Sequence, residues 1–128
     1  MSIELQLLVW SVALAFAQML LAVVGSAQQL DLETLVGNRD YVPEPLGWVA
    51  RAKRAQYNML ENLALFAPLI LVAQIAGRTN ETTALGAEIF FFARLVYIPV
   101  YLIGIPYLRT LIWVVSVIGL GLIFSQLV

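Results

Sequence analysis

The chain has 128 residues, of which 62% are hydrophobic and 12% charged, and its net charge is −1. Soluble domains run at roughly 45–50% apolar and about 25% charged, so a chain this poor in charge cannot coat its own surface and lipid must supply the coat. The charge balance and the lack of any Lys/Arg run exclude a nucleic-acid footprint, while the absence of Cys and His removes disulfides, thiolate nucleophiles and the commonest metal ligand.

Leu5 to Val24 carries no charge, and about 20 residues suffice to cross a hydrocarbon core of roughly 30 Å. The run lacks a basic flank and a clear small-residue cleavage site, so it reads as a retained first span rather than a signal peptide. Gly25 to Pro45 gathers Asp31, Glu33, Gly37, Asn38, Arg39, Asp40, Pro43, Glu44 and Pro45, the breaker-rich signature of an extramembrane loop. The next two uncharged stretches, Leu63 to Gly77 and Leu95 to Leu108, are too short to span unaided. The second span must therefore start near Trp48, taking in Arg51, Arg54, Asn58 and Glu61, and the third near Thr83, taking in Glu88 and Arg94. Gly77 to Glu81 forms the turn between them, Pro99 is expected to kink the third span, and Gly104-Ile105-Pro106 ends it. Thr110 to Val128 is again apolar and gives the fourth. The expectation is an all-α, integral membrane four-helix bundle in one domain, 1–128, with helices at about 3–26, 47–76, 83–103 and 107–127.

Arg39, Arg51, Lys53, Arg54 and Arg109 lie toward one side and Arg78 toward the other, which by the positive-inside bias puts both termini outside the cytoplasm. At 100° per residue Arg51, Arg54, Asn58 and Glu61 fall within an arc of roughly 80°, and Arg94, Tyr97 and Tyr101 within about 60°. An Arg facing lipid at mid-bilayer costs on the order of 2.5–3.5 kcal/mol, so both stripes should face a bundle interior or wet cavity. There Arg51, Arg54, Arg94 and Arg109 oppose Glu61, with Glu88 nearby. Surplus cation in such a place points to an anionic ligand, and the guanidinium fork suits carboxylates. Other readings stand beside this one: Arg51 and Arg54 snorkelling to headgroups, Glu61 in a structural ion pair, and Tyr97 and Tyr101 in an interfacial aromatic belt. Lys53 lies off the stripe and reads as a headgroup contact.

The run Arg51-Ala-Lys-Arg54-Ala-Gln-Tyr-Asn58-Met-Leu-Glu61-Asn62, then Phe66-Ala67-Pro68-Leu69, then Phe92-Ala93-Arg94-Leu95-Val96-Tyr97-Ile98-Pro99-Val100-Tyr101, resembles the MAPEG family, the membrane-associated proteins in eicosanoid and glutathione metabolism. The type it looks like is the bacterial microsomal glutathione transferase. The resemblance implies a homotrimer binding glutathione as co-substrate between neighbouring subunits, in the cytoplasmic half of the membrane. It implies that Arg51, Arg54, Asn58, Glu61, Arg94, Tyr97 and Tyr101 hold glutathione, and that Arg109, with Tyr101, serves catalysis by stabilising the thiolate. Asn62 stands where eicosanoid-type members often carry an aromatic, which argues against an eicosanoid substrate. The implied activity is a glutathione-dependent transferase or peroxidase acting on lipophilic electrophiles, with membrane lipids and the lipophilic substrate as its other partners. Two alternatives are a non-catalytic lipid-binding or scaffold protein of the same fold, and a small transporter lined by the same Arg stripes.

Overall fold

A computed structural model describes residues 1–38 and 45–128. The part of the expected Gly25–Pro45 loop at residues 39–44, with Arg39, Asp40, Pro43 and Glu44, lies outside the described residues. Among the described residues five helices follow in chain order: α1 (Ile3–Gln29), α2 (Leu32–Val36), α3 (Trp48–Ile75), α4 (Glu81–Ile103) and α5 (Pro106–Ser125). Four of them, α1, α3, α4 and α5, are long and apolar enough to cross a membrane, so the all-helical, multi-pass class holds. The short α2 is one turn of order within the segment read as loop. Asp31 starts it, accepting a hydrogen bond from the Thr34 N–H at 2.8 Å; hydrogen bonding from the Thr34 side chain and, second, from this N–H lowers the Asp31 carboxyl pKa.

Local chemistry accounts for the helix ends. Ser2 Oγ caps α1, and Asn80 with Thr83 forms a reciprocal capping box on α4. Gly104, at φ 86°, ends α4 in the left-handed region that glycine enters without a Cβ penalty, and Pro106 opens α5 at a position needing no N–H. Gln29 clips the far end of α1 to the chain entering α3: its Nε2 donates to the Leu46 carbonyl at 2.9 Å and its Oε1 accepts from the Leu46 N–H at 2.8 Å.

The four spans pack through narrow stripes. On α1 the buried positions Leu7, Ser11, Ala15, Gln18, Ala22 and Gly25 recur every three or four residues, and most are small enough to let a neighbouring backbone approach. A Cβ on Gly25 would sit 2.8 Å from Val49 Cγ2. On the α4–α5 interface Gly86 and Gly119 meet backbone to backbone, a Cβ on either landing 2.6 Å from the other's carbonyl oxygen. Away from the loop end, Phe66 of α3 stacks on Phe90 of α4, centroids 4.1 Å apart, amid Leu7, Met59, Ile70, Leu120 and Ile123. Under half of each span is buried inside the protomer, as expected where lipid or a second copy supplies the remaining contact.

Candidate functional site

Chain reversal puts the first half of α3, the last half of α4 and the start of α5 at one end of the bundle. Both sequence stripes sit on those segments. Between them opens a cleft of about 390 Å³, lined by Arg54, Tyr57, Asn58 and Glu61 from α3, Tyr97 and Tyr101 from α4, and Arg109, Thr110 and Trp113 from α5.

Aromatic rings organise its cations. Arg54 Nε donates to Tyr101 Oη at 3.2 Å. The Arg109 guanidinium carbon stands 4.7 Å from the Tyr101 ring centroid, close enough for a cation–π contact. Tyr101 is buried against Ala55 and Tyr97, so it fixes two guanidinium groups at one edge of the cleft. Glu61 is the carboxylate of the lining, two turns along α3 from Arg54. The cleft thus offers two cations at one edge, one anion, the Asn58 amide and several hydroxyls: a donor set matched to a ligand bearing carboxylates and an ammonium.

Six of the eight residues singled out in the sequence line this cleft: Arg54, Asn58, Glu61, Tyr97, Tyr101 and Arg109. The other two stand elsewhere. Arg94 is buried behind the wall, its Nη1 donating to Asn58 Oδ1 at 2.8 Å and its guanidinium carbon 4.2 Å from the Tyr97 ring centroid. Arg51 Nε donates to the Leu102 carbonyl at 2.9 Å, which places a cation on the C-terminal carbonyls of α4 where the helix dipole favours it. Glu88 is exposed on α4 and does not line the cleft. Tyr57, Thr110 and Trp113 were not singled out, although periodicity contained the signal. Tyr57 follows Arg54 by three residues and Trp113 follows Arg109 by four, which puts each pair on one helix face.

A second cavity of about 440 Å³ lies between the end of α1, α2 and the start of α3, with Lys53 and Gln56 among mostly apolar residues; Tyr57 borders both cavities.

Fold and cleft together define a multi-pass membrane protein with a polar, cation-rich site opening at one end of its helices. The chain belongs to the MAPEG family, whose model matches residues 7–128, nearly its whole length. Membership places it among glutathione-related membrane transferases, peroxidases and proteins of lipid metabolism. No curated protein and no solved structure matches it.

Proposed function

We propose that the chain is a glutathione-dependent transferase or peroxidase that detoxifies lipophilic electrophiles drawn from the bilayer. The observation that carries this reading is the convergence of Arg54, Asn58, Glu61, Tyr97, Tyr101 and Arg109 on one cleft in a MAPEG chain. Glutathione has two carboxylates and one ammonium. Arg54 and Asn58 bind a carboxylate, Glu61 takes the ammonium, and Arg109 faces the thiol, where a nearby cation favours the thiolate. Tyr101 keeps Arg54 and Arg109 in place through its hydroxyl and ring. The thiolate then attacks an electrophilic carbon and expels its leaving group, or attacks a peroxide oxygen and breaks the O–O bond, giving the sulfenic acid of glutathione and an alkoxide that takes a proton from water; a second glutathione converts the sulfenic acid to the disulfide and water. No enzyme nucleophile is needed, which suits a chain without Cys or His.

The assembly proposed is a homotrimer. Arg54, Tyr57 and Glu61 are exposed on α3 of the single protomer, and ionisable groups at membrane depth are costly against lipid. A neighbouring copy covering that face removes the cost and closes the cleft into a site. By the basic-residue bias the site end is cytoplasmic and both termini are outside.

Calorimetric titration of glutathione into the detergent-solubilised protein, followed by turnover of a generic aryl halide, tests the reading. Binding with turnover supports it. Binding without turnover favours the non-catalytic alternative, to which the largely apolar second cavity is suited. No binding overturns the glutathione assignment.

A further inference from the structure

Among the described residues, two side chains in the bundle interior carry buried polar atoms with no hydrogen-bond partner: Gln18 at Oε1 and Nε2, and Arg94 at Nε and Nη2. Gln18 is 4% exposed and Arg94 1%. Leaving such groups unbonded is costly, and protein interiors satisfy them with protein atoms or with ordered water.

The two belong to different helices but to one level of the bundle. Glu4 of α1 accepts a hydrogen bond from Thr83 Oγ1 of α4 at 3.0 Å, which sets the register of those parallel helices. Gln18 is as many residues beyond Glu4 as Tyr97 is beyond Thr83, and Arg94 is one turn short of Tyr97. The antiparallel α1–α3 register agrees. Ser2 Oγ bonds Gln74 Oε1 at one end and Gly25 abuts Val49 at the other, which brings Gln18 within about two residues of the level of Asn58. Asn58 is the residue that Arg94 Nη1 reaches.

We propose that Gln18, Asn58 and Arg94 enclose a buried water-binding site between α1, α3 and α4, directly behind the cleft wall, and that Gln18 is a positioning residue acting through it. The unbonded groups are mostly donors: three N–H on Arg94 and two on Gln18 against one acceptor oxygen. Water accepts from the guanidinium and donates to Gln18 Oε1, which matches that surplus. The carboxylates near these helices are engaged or directed elsewhere: Glu4 with Thr83 at the far end, Glu61 in the cleft, Glu88 exposed. Water is therefore the group that completes Arg94. Fixing Arg94 fixes Asn58 and Tyr97, the two cleft-lining residues it touches. In this way α1, which contributes nothing to the cleft lining, shapes the cleft from behind.

The test uses the full chain in detergent, with Gln18→Leu and Gln18→Glu, read by thermal unfolding and by the ¹⁹F resonance of fluorotyrosine at position 97; neither readout depends on glutathione. Gln18→Leu should lower Tm by several degrees and shift the resonance, because the apolar side chain strands the Arg94 N–H groups. Gln18→Glu should hold or raise Tm and restore the resonance, since a carboxylate can serve Arg94. With Arg94→Met, Gln18→Leu should cease to destabilise; if that variant does not fold, the Gln18→Glu comparison decides alone. A rise in Tm for Gln18→Leu, or loss of the folded protein for Gln18→Glu, overturns the proposal. So does a high-resolution structure showing a dry, direct Gln18–Arg94 contact.

Discussion

Replacing Arg109 by Ala should leave glutathione bound but poorly activated. Arg109 is half-buried on α5, borders the cleft, and lies over the Tyr101 ring at 4.7 Å. A thiolate about 5 Å from that guanidinium would gain roughly 3 kcal/mol at an effective dielectric near 20. Arg109 is only half-buried, and screening reduces the figure to about 1.5–3 kcal/mol, which corresponds to a thiol pKa lowered by roughly one to two units. Arg109→Ala should therefore cut transferase turnover at neutral pH by about ten- to a hundredfold. It should raise the thiol titration midpoint by the same one to two units. Arg54 still bonds Tyr101 in this variant, so the fold and the carboxylate contacts survive, and affinity for the neutral-thiol form should change little. The assay is the ultraviolet absorbance of bound thiolate against pH, for the original chain and for Arg109→Ala. An unmoved midpoint would refute the reasoning and make Arg109 a headgroup anchor.

Glu61→Gln should weaken glutathione binding by tenfold or more in calorimetry, because it removes the charge-assisted partner of an ammonium, whereas Lys53→Gln, in the other cavity, should leave it unchanged; equal affinities would remove Glu61 from the site. Gly119→Ala should cost about 1–3 kcal/mol and lower Tm by several degrees, since its Cβ would lie 2.6 Å from the Gly86 carbonyl oxygen and 2.9 Å from the Phe90 nitrogen, neither of which can rotate away. The Asp31 carboxyl has a folded-state pKa below its unfolded value, so its cap on α2 is fully effective above about pH 4 and is lost as pH falls through the lowered value; the protection of the Thr34 amide against hydrogen exchange, taken relative to its intrinsic rate at each pH, should fall over that acid range and stay constant above it. A cysteine introduced as Ser2→Cys should react with an impermeant thiol reagent from the non-cytoplasmic face alone, and labelling from the cytoplasm would invert the proposed topology.

The four spans were legible in the sequence because their signal is summed: a membrane helix needs about 20 residues of low polarity, and no tertiary contact is required to see them. The polar stripes were legible too, since residues three and four apart share a helix face whatever the helix packs on. Arg54, Asn58 and Glu61 share one such face and Tyr97 and Tyr101 another, and the fold brings the two faces together with Arg109 of α5. Periodicity could not say how far each side chain reaches. Arg51 and Arg54 share a stripe, yet Arg51 lies where α4 ends and bonds the Leu102 carbonyl, while Arg54 lies one turn further in, opposite Tyr101. Arg94 shares a face with Tyr97 and Tyr101 but is turned inward onto Asn58, beneath the wall it was expected to line. Gln18 was not singled out, being one of three uncharged polar residues, with Gln6 and Ser11, in an apolar run. Its burial follows from the register that Glu4 and Thr83 impose between α1 and α4, a contact between residues far apart in the chain. Composition and helical period thus determined that the chain spans a membrane and which faces are polar, because both are local sums over neighbouring residues. Which cations open to a ligand and which stand behind the wall was decided by helix register and crossing, because those depend on where small residues such as Gly25, Gly86 and Gly119 let two backbones meet.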